Sequence, residues 1–167
     1  MKQIFVRTEH CMGCHTCELH CAIEHSQAKD LFGATMELPT PKKRLYVELG
    51  EKGPMPVMCR MCEDAACLNA CISGAMYREP DTGLVLRNPD KCIGCWTCIM
   101  TCPFGVVGRM QQGGKLISAK CDRCHENPEG PRCVASCPTK ALVHAEPEDW
   151  AKQERTSVTG QIAAGQG

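Results

Sequence analysis

Sixteen cysteines fall into four runs of four along a chain of 167 residues, with none left over. The runs are Cys11, Cys14, Cys17, Cys21; Cys59, Cys62, Cys67, Cys71; Cys92, Cys95, Cys98, Cys102; and Cys121, Cys124, Cys133, Cys137. The first and third share the spacing C-x2-C-x2-C-x3-C, and the third ends in Cys102-Pro103. Three thiolates placed that closely encircle one [4Fe–4S] cubane, and the fourth reaches a second. Sixteen ligands at four per cubane predict four clusters. The chemistry such a set performs is one-electron transfer, so the chain reads as an electron conduit.

Two other uses of so many cysteines compete. A disulfide scaffold suits short secreted chains, but Met1-Lys2-Gln3-Ile4-Phe5 leads into charge without an apolar signal-peptide core. Three cysteines within seven residues also suit a ligand loop better than bridges to distant partners. Zinc uses C-x2-C pairs in tetrahedral sites. It has no use for the third and fourth thiolates of a C-x2-C-x2-C-x3-C run, so it is an alternative for the second and fourth runs at most.

The remaining chemical side chains read as supports. His15, His20 and His25 flank the first run, but sixteen thiolates already complete four cubanes. Met12, Met58, Met61 and Met76 supply soft packing, and Trp96 shields a cluster from inside the third run. Gly13 and Gly94 lie between the first two cysteines of their runs, where a missing Cβ lets backbone approach a cluster. Pro103 and Pro138 follow fourth cysteines and end the local helix. Gly160-Gln161-Ile162-Ala163-Ala164-Gly165 mimics a phosphate loop but lacks the Lys-Ser/Thr that would follow it. No Ser/His/Asp set and no spare thiol remains for covalent catalysis, so the reading is a non-catalytic protein.

Composition fits one domain held together by its cofactors. There are only three Phe, two Trp and two Tyr, too few for a conventional core of this length. Clusters would fill the missing volume, and their binding would be part of the folding free energy. Lys+Arg and Asp+Glu balance at 19 each, so no net field favours nucleic acid or an anionic membrane. No apolar stretch approaches a membrane span. These features together predict a cytoplasmic protein.

Short elements must position the ligand loops, in an α+β arrangement. Strands are predicted over Lys2–Thr8, Arg44–Leu49, Lys115–Ser118 and Ala141–His144. Ala75–Tyr77 and Leu84–Leu86 read as a hairpin around Pro80-Asp81-Thr82-Gly83. Helices are predicted over Cys17–His25, Ala65–Ile72, Cys98–Cys102 and Cys133–Cys137, carrying each fourth cysteine toward a neighbouring cluster. Glu24–Val57 carries no ligand, and Pro39, Pro41, Pro54 and Pro56 predict that it is extended. The four-cluster domain is residues 1–146, and residues 147–167 form a polar tail with a short helix over Pro147–Arg155. That tail is either disordered or an arm that orders on a partner.

The chain also repeats itself. Cys11-Met12-Gly13-Cys14-His15-Thr16-Cys17 matches Cys92-Ile93-Gly94-Cys95-Trp96-Thr97-Cys98 at all but two positions. Cys67-Leu68-Asn69-Ala70-Cys71 parallels Cys133-Val134-Ala135-Ser136-Cys137. One half duplicates the other.

With four such runs in this order, the chain resembles the four-cluster electron-transfer subunits of molybdenum and tungsten oxidoreductases. That family includes the small subunits of formate dehydrogenases, hydrogenlyases and dimethyl-sulfoxide-type reductases. Its short length and Cys17-Glu18-Leu19-His20-Cys21-Ala22-Ile23-Glu24-His25-Ser26 look like carbon-monoxide-dehydrogenase-associated iron–sulfur proteins and the small subunit of tungsten aldehyde oxidoreductase. The resemblance implies a duplicated bacterial-ferredoxin-like fold of two 2[4Fe–4S] modules. It also implies a hetero-oligomer in which a large catalytic subunit is joined by a second redox subunit or a soluble carrier. Membrane-anchored relatives carry a further C-terminal helix, so no membrane attachment is expected here.

The resemblance implies a nested ligand pattern as well. One cluster takes Cys11, Cys14, Cys17 and Cys137; its neighbour takes Cys121, Cys124, Cys133 and Cys21. The inner pair takes Cys59, Cys62, Cys67 with Cys102, and Cys92, Cys95, Cys98 with Cys71. Spacing alone equally allows the first run to pair with the second and the third with the fourth. A free polyferredoxin shuttle and a zinc-ribbon adaptor remain as alternative functions.

Overall fold

Four separate two-stranded antiparallel sheets and six helices make up the structure, a computed structural model that describes residues 1–163 apart from the side chain at 161. The Gly160–Gly165 stretch therefore lies partly outside the described residues. In the first half the order is β1 (Gln3–Val6), the first run with α1 (Thr16–Glu24), the hairpin β2 (Leu45–Gly50) and β3 (Gly53–Met58), the second run with α3 (Ala66–Asn69), then β4 (Met76–Arg78). The second half follows the same order. It runs β5 (Val85–Arg87), the third run with α4 (Thr97–Thr101), the hairpin β6 (Gly108–Gln112) and β7 (Lys115–Ala119), the fourth run with α5 (Arg132–Ala135), and β8 (Leu142–Ala145). Three elements stand outside this order: a single 3-10 turn (Thr8–His10), α2 (Leu31–Met36) and the tail helix α6 (Pro147–Ala163).

The longest-range pairing joins the ends of the chain. β1 runs antiparallel to β8 with Ile4 opposite His144 and Val6 opposite Leu142. Ile4 and Leu142 are buried in one apolar cluster with Cys17, Cys21, Cys133 and Cys137. A second cluster gathers Met61, Leu84, Val85 and Leu86 around Cys59, Cys62 and Cys67, and a third places Met76 and Val107 beside Cys98. The core is thus three small patches, each wrapped on cysteines. Among the described residues no helix is long and apolar enough to cross a membrane.

The region Glu24–Val57 departs from the extended reading at α2 and keeps to it in β2 and β3. Asp30 caps α2 by accepting a hydrogen bond from the Gly33 amide at 2.8 Å. Pro54 and Pro56 lie inside β3, opposite Leu49 and Val47. Two residues apart, both occupy positions where the missing N–H would point away from β2, which a two-stranded edge tolerates.

The helices also differ from expectation. Each begins one residue before the third cysteine of its run, at Thr16, Ala66, Thr97 and Arg132. Three end early, so Cys71, Cys102 and Cys137 lie beyond the helix and only Cys21 is helical. Pro103 and Pro138 accordingly follow helices already finished. Tight turns rather than helix faces aim these three thiols.

Candidate iron–sulfur sites

The local geometry of the first run recurs in the third. His15 and Trp96, each just before a helix, take left-handed backbone at φ 58° and 64°. Gly13 and Gly94 both stand at φ +71°. A Cβ on Gly13 would meet Pro54 of β3 at 3.1 Å, and one on Gly94 would lie 2.6 Å from the Leu116 carbonyl oxygen of β7. The glycines therefore admit the neighbouring hairpin, a role the sequence did not disclose. Thr16 and Thr97 bond the Cys14 and Cys95 sulfurs through hydroxyl and amide, holding both thiols below their ordinary range.

Fourth cysteines of the second and fourth runs are matched in the same way. Burial pushes Cys71 up, but the Met76, Ala75 and Ser73 amides and the Ser73 hydroxyl outweigh it and lower the thiol. At Cys137 the Leu142, Ala141 and Thr139 amides and the Thr139 hydroxyl do the same. Gly74 and Lys140 turn these segments at φ 63° and 57°. Such N–H···S bonds stabilise thiolate and tune an attached metal centre.

The folded chain brings cysteines of different runs together. One pocket is walled by Cys59, Cys62, Cys67 and Cys102, with Ala65, Val85, Pro103 and Phe104 around them. Another is walled by Cys92, Cys95, Cys98 and Cys71, with Gly94, Trp96 and Ser118. At the other end, burial pushes the Cys17 thiol up to about 11, and the charges of Glu18, Cys137 and Cys14 add to it. Burial raises Cys21 further, helped by the charges of Cys121 and Cys124. Cys11 packs against the cluster that holds Cys17 and Cys137.

The apolar clusters give the order of these groups in space: the first holds cysteines of the first and fourth runs, the second Cys121 with the second run, and the third the second run with the third. Cys133 is raised by burial, then by Cys121, Cys21, Cys124 and Cys17. Cys121, pushed up to about 12 by burial, feels Cys59 next, and Cys67 feels Cys59, Cys102 and Cys98. The groups follow one another as first run, fourth run, second run, third run. Thiols raised by burial resist ionising alone, and an iron centre that ionises them supplies the missing positive charge. The donor set fits that group.

Several supports were not readable in the sequence. Glu18, 8% exposed, accepts from the Val47 amide at 2.6 Å and pairs with Lys43 at 2.6 Å, tying α1 to β2. Burial alone would raise the Asp122 carboxyl. A bond to His25 Nε2 at 3.1 Å and the Arg44 guanidinium hold it far below the usual carboxylate range. His25 Nδ1 lies 2.6 Å from the Cys21 carbonyl, so both of its ring nitrogens already face oxygens. Asp122 stands between two cysteines of the fourth run, which was the one available signal. Trp150 of the tail stacks on Phe5 of β1 within the same chain.

Comparison with known proteins agrees with the donor set. The family described as "4Fe-4S dicluster domain" matches residues 53–146, which contain the second, third and fourth runs. Electron transport protein HydN of Escherichia coli K12 is 37% identical over 146 residues, covering 80% of this chain and 81% of that protein. An iron-sulfur protein of Rhodospirillum rubrum is 38% identical over 153 residues, covering 83% and 79%. A probable iron-sulfur subunit of the Frd operon of Proteus vulgaris is 38% identical over 137 residues, covering 72% and 86%. A solved chain of the BamBC complex of benzoyl coenzyme A reductase overlaps 98% of this chain at 19% identity and a TM-score of 0.44, too loose to bear on the fold. The family match favours [4Fe–4S] clusters over zinc for the second and fourth runs. The chain belongs to the 4Fe-4S dicluster family of iron–sulfur electron-transport proteins.

Proposed function

We propose that this chain is a non-catalytic relay subunit that carries electrons through four [4Fe–4S] clusters, linking a catalytic oxidoreductase chain to a second redox partner. The observation that carries this reading is the pair of pockets each walled by four cysteines from two runs. A cubane takes four thiolates, and in two-cluster ferredoxins three come from one run and the fourth from another. The proposed nested sets are Cys11, Cys14, Cys17 with Cys137; Cys121, Cys124, Cys133 with Cys21; Cys59, Cys62, Cys67 with Cys102; Cys92, Cys95, Cys98 with Cys71. Recurrence of element order and of sulfur hydrogen bonds supports two duplicated two-cluster modules.

Bound clusters supply the one-electron steps; the chain supplies spacing, dryness and fixed dipoles. Amides at Met76 and Leu142 stabilise sulfur charge. Val85, Pro103 and Phe104 exclude water from the second-run site. A chain of sites in single file suits transfer between two docked proteins. Relatives named as electron transport proteins and as the iron-sulfur subunit of an operon support an oxidoreductase complex as the setting. The molybdenum and tungsten enzymes of the dimethyl-sulfoxide-reductase type are the class of partner proposed, in the cytoplasm. The ligand-free insertion offers a docking surface, since Phe32 is 79% and Leu38 93% exposed there.

Anaerobic purification followed by iron and acid-labile sulfide analysis tests the reading, with about sixteen of each expected per chain. About eight would reduce the relay to two clusters and overturn it. Co-purification of a large oxidoreductase chain separates a complex-bound relay from a free shuttle.

A further inference from the structure

Lys120 is 4% exposed, directly after β7 and directly before Cys121. Its ammonium donates to the Val85 carbonyl at 2.5 Å and the Cys121 carbonyl at 3.1 Å, and lies 3.5 Å from the Met61 sulfur. Among the described residues it takes part in no ion pair. Lys43 and Arg44, by contrast, hold Glu18 and Asp122. A buried ammonium surrounded only by neutral acceptors is strongly disfavoured, so its counter-charge must come from elsewhere.

Its three neighbours say where. Met61 belongs to the second run and Cys121 opens the fourth. Lys120 also walls the pocket formed by Cys59, Cys62, Cys67 and Cys102. It therefore occupies the joint between the two halves, where the fourth run meets the second in the spatial order of the sites. A [4Fe–4S] centre on four thiolates is anionic, and reduction adds one more negative charge. A fixed cation beside it favours the reduced form, unscreened because it is buried. Burial raises Cys67 and Cys121, and the charge of Lys120 works against that at both.

We propose that Lys120 is a fixed positive charge shared by the fourth-run and second-run cluster sites, raising both potentials and thereby setting the middle step of the relay. This rests on the four-cluster reading. Lys120 is a positioning residue in this scheme and takes no part in electron transfer itself.

The test uses the full chain, purified anaerobically, as wild type, Lys120→Met, Lys120→Gln and Lys120→Arg. Iron is counted first, then midpoint potentials are read by redox titration followed by electron paramagnetic resonance. In the two neutral variants, two of the four potentials should fall by at least a tenfold change in the reduction equilibrium, about 59 mV for a one-electron couple. Lys120→Arg should stay near wild type. Unmoved potentials in fully loaded neutral variants would overturn the inference while leaving the four-cluster reading intact, as would an equal shift of all four. Should the neutral variants lose iron, full loading of Lys120→Arg supports the charge role, and equal loss in Lys120→Arg refutes it. A wild-type chain with fewer than four clusters sinks the reading and this inference with it.

Discussion

The Trp150 indole lies flat on the Phe5 ring, with centroids 4.7 Å apart and planes 3° from parallel. Arg7 covers the indole at 4.9 Å and bonds Glu154 at 3.3 Å, so α6 is held by Phe5 of β1 and by Arg7 just beyond it. Trp150→Ala should remove about 1–2 kcal/mol of local anchoring, the stacking together with part of the buried area. Amide hydrogen exchange across α6 should then accelerate while iron content stays unchanged. Iron lost along with the helix would mean that α6 guards the outer site.

Cys137→Ser and Cys21→Ser should each disturb a cluster encircled by a different run. Serine at 137 is expected to alter the spectroscopic signal of the site formed by Cys11, Cys14 and Cys17, and serine at 21 that of the site formed by Cys121, Cys124 and Cys133. Paramagnetic resonance of combined variants reads this directly. A change confined to the second-run site would refute the nesting.

Gly94→Ala and Gly13→Ala make a matched pair with unequal outcomes. Both impose a side chain at φ +71°, but the new methyl meets a backbone carbonyl at 2.6 Å in one and a proline side chain at 3.1 Å in the other. Gly94→Ala should cost about 2–4 kcal/mol and Gly13→Ala about 1–2 kcal/mol, because a backbone oxygen cannot yield as a ring can. Thermal unfolding of the loaded protein gives the ranking, and equal losses would contradict it.

Asp122→Asn should destabilise the joint between α1 and the fourth run by about 2–3 kcal/mol, leaving Arg44 and His25 without their shared anion. Denaturant unfolding measures the loss. Arg44→Gln combined with Asp122→Asn should lose less than the sum of the single variants.

Ligand chemistry was readable because a cubane loop is local: Cys11, Cys14 and Cys17 announce themselves within seven residues. Pairing of β1 with β8 was not, since Ile4 and His144 meet across the whole molecule. Pro54 and Pro56 are extended, as expected, within β3, where their missing donors face away from the partner strand. Gly113-Gly114, between β6 and β7, is a two-residue hairpin signal that the strand expectations passed over. Helix lengths failed for a different reason, as the turns at Gly74 and Lys140 aim Cys71 and Cys137 without helical backbone. Lys120 carries nothing in its local pattern to mark it as buried, because Met61 and Val85, two of the three groups around its ammonium, come from distant segments.

Under the proposed nesting, ligand supply would also impose an order of completion during synthesis. The first run leaves the ribosome first, yet in that scheme its site would lack a fourth ligand until Cys137 has emerged. The inner sets close when Cys102 appears, long before. Like brackets in a written expression, the pair opened first is closed last. A chain interrupted between Cys102 and Cys121 would therefore carry a finished inner pair and an outer run still open, and that vulnerable interval ends only when β8 pairs with β1.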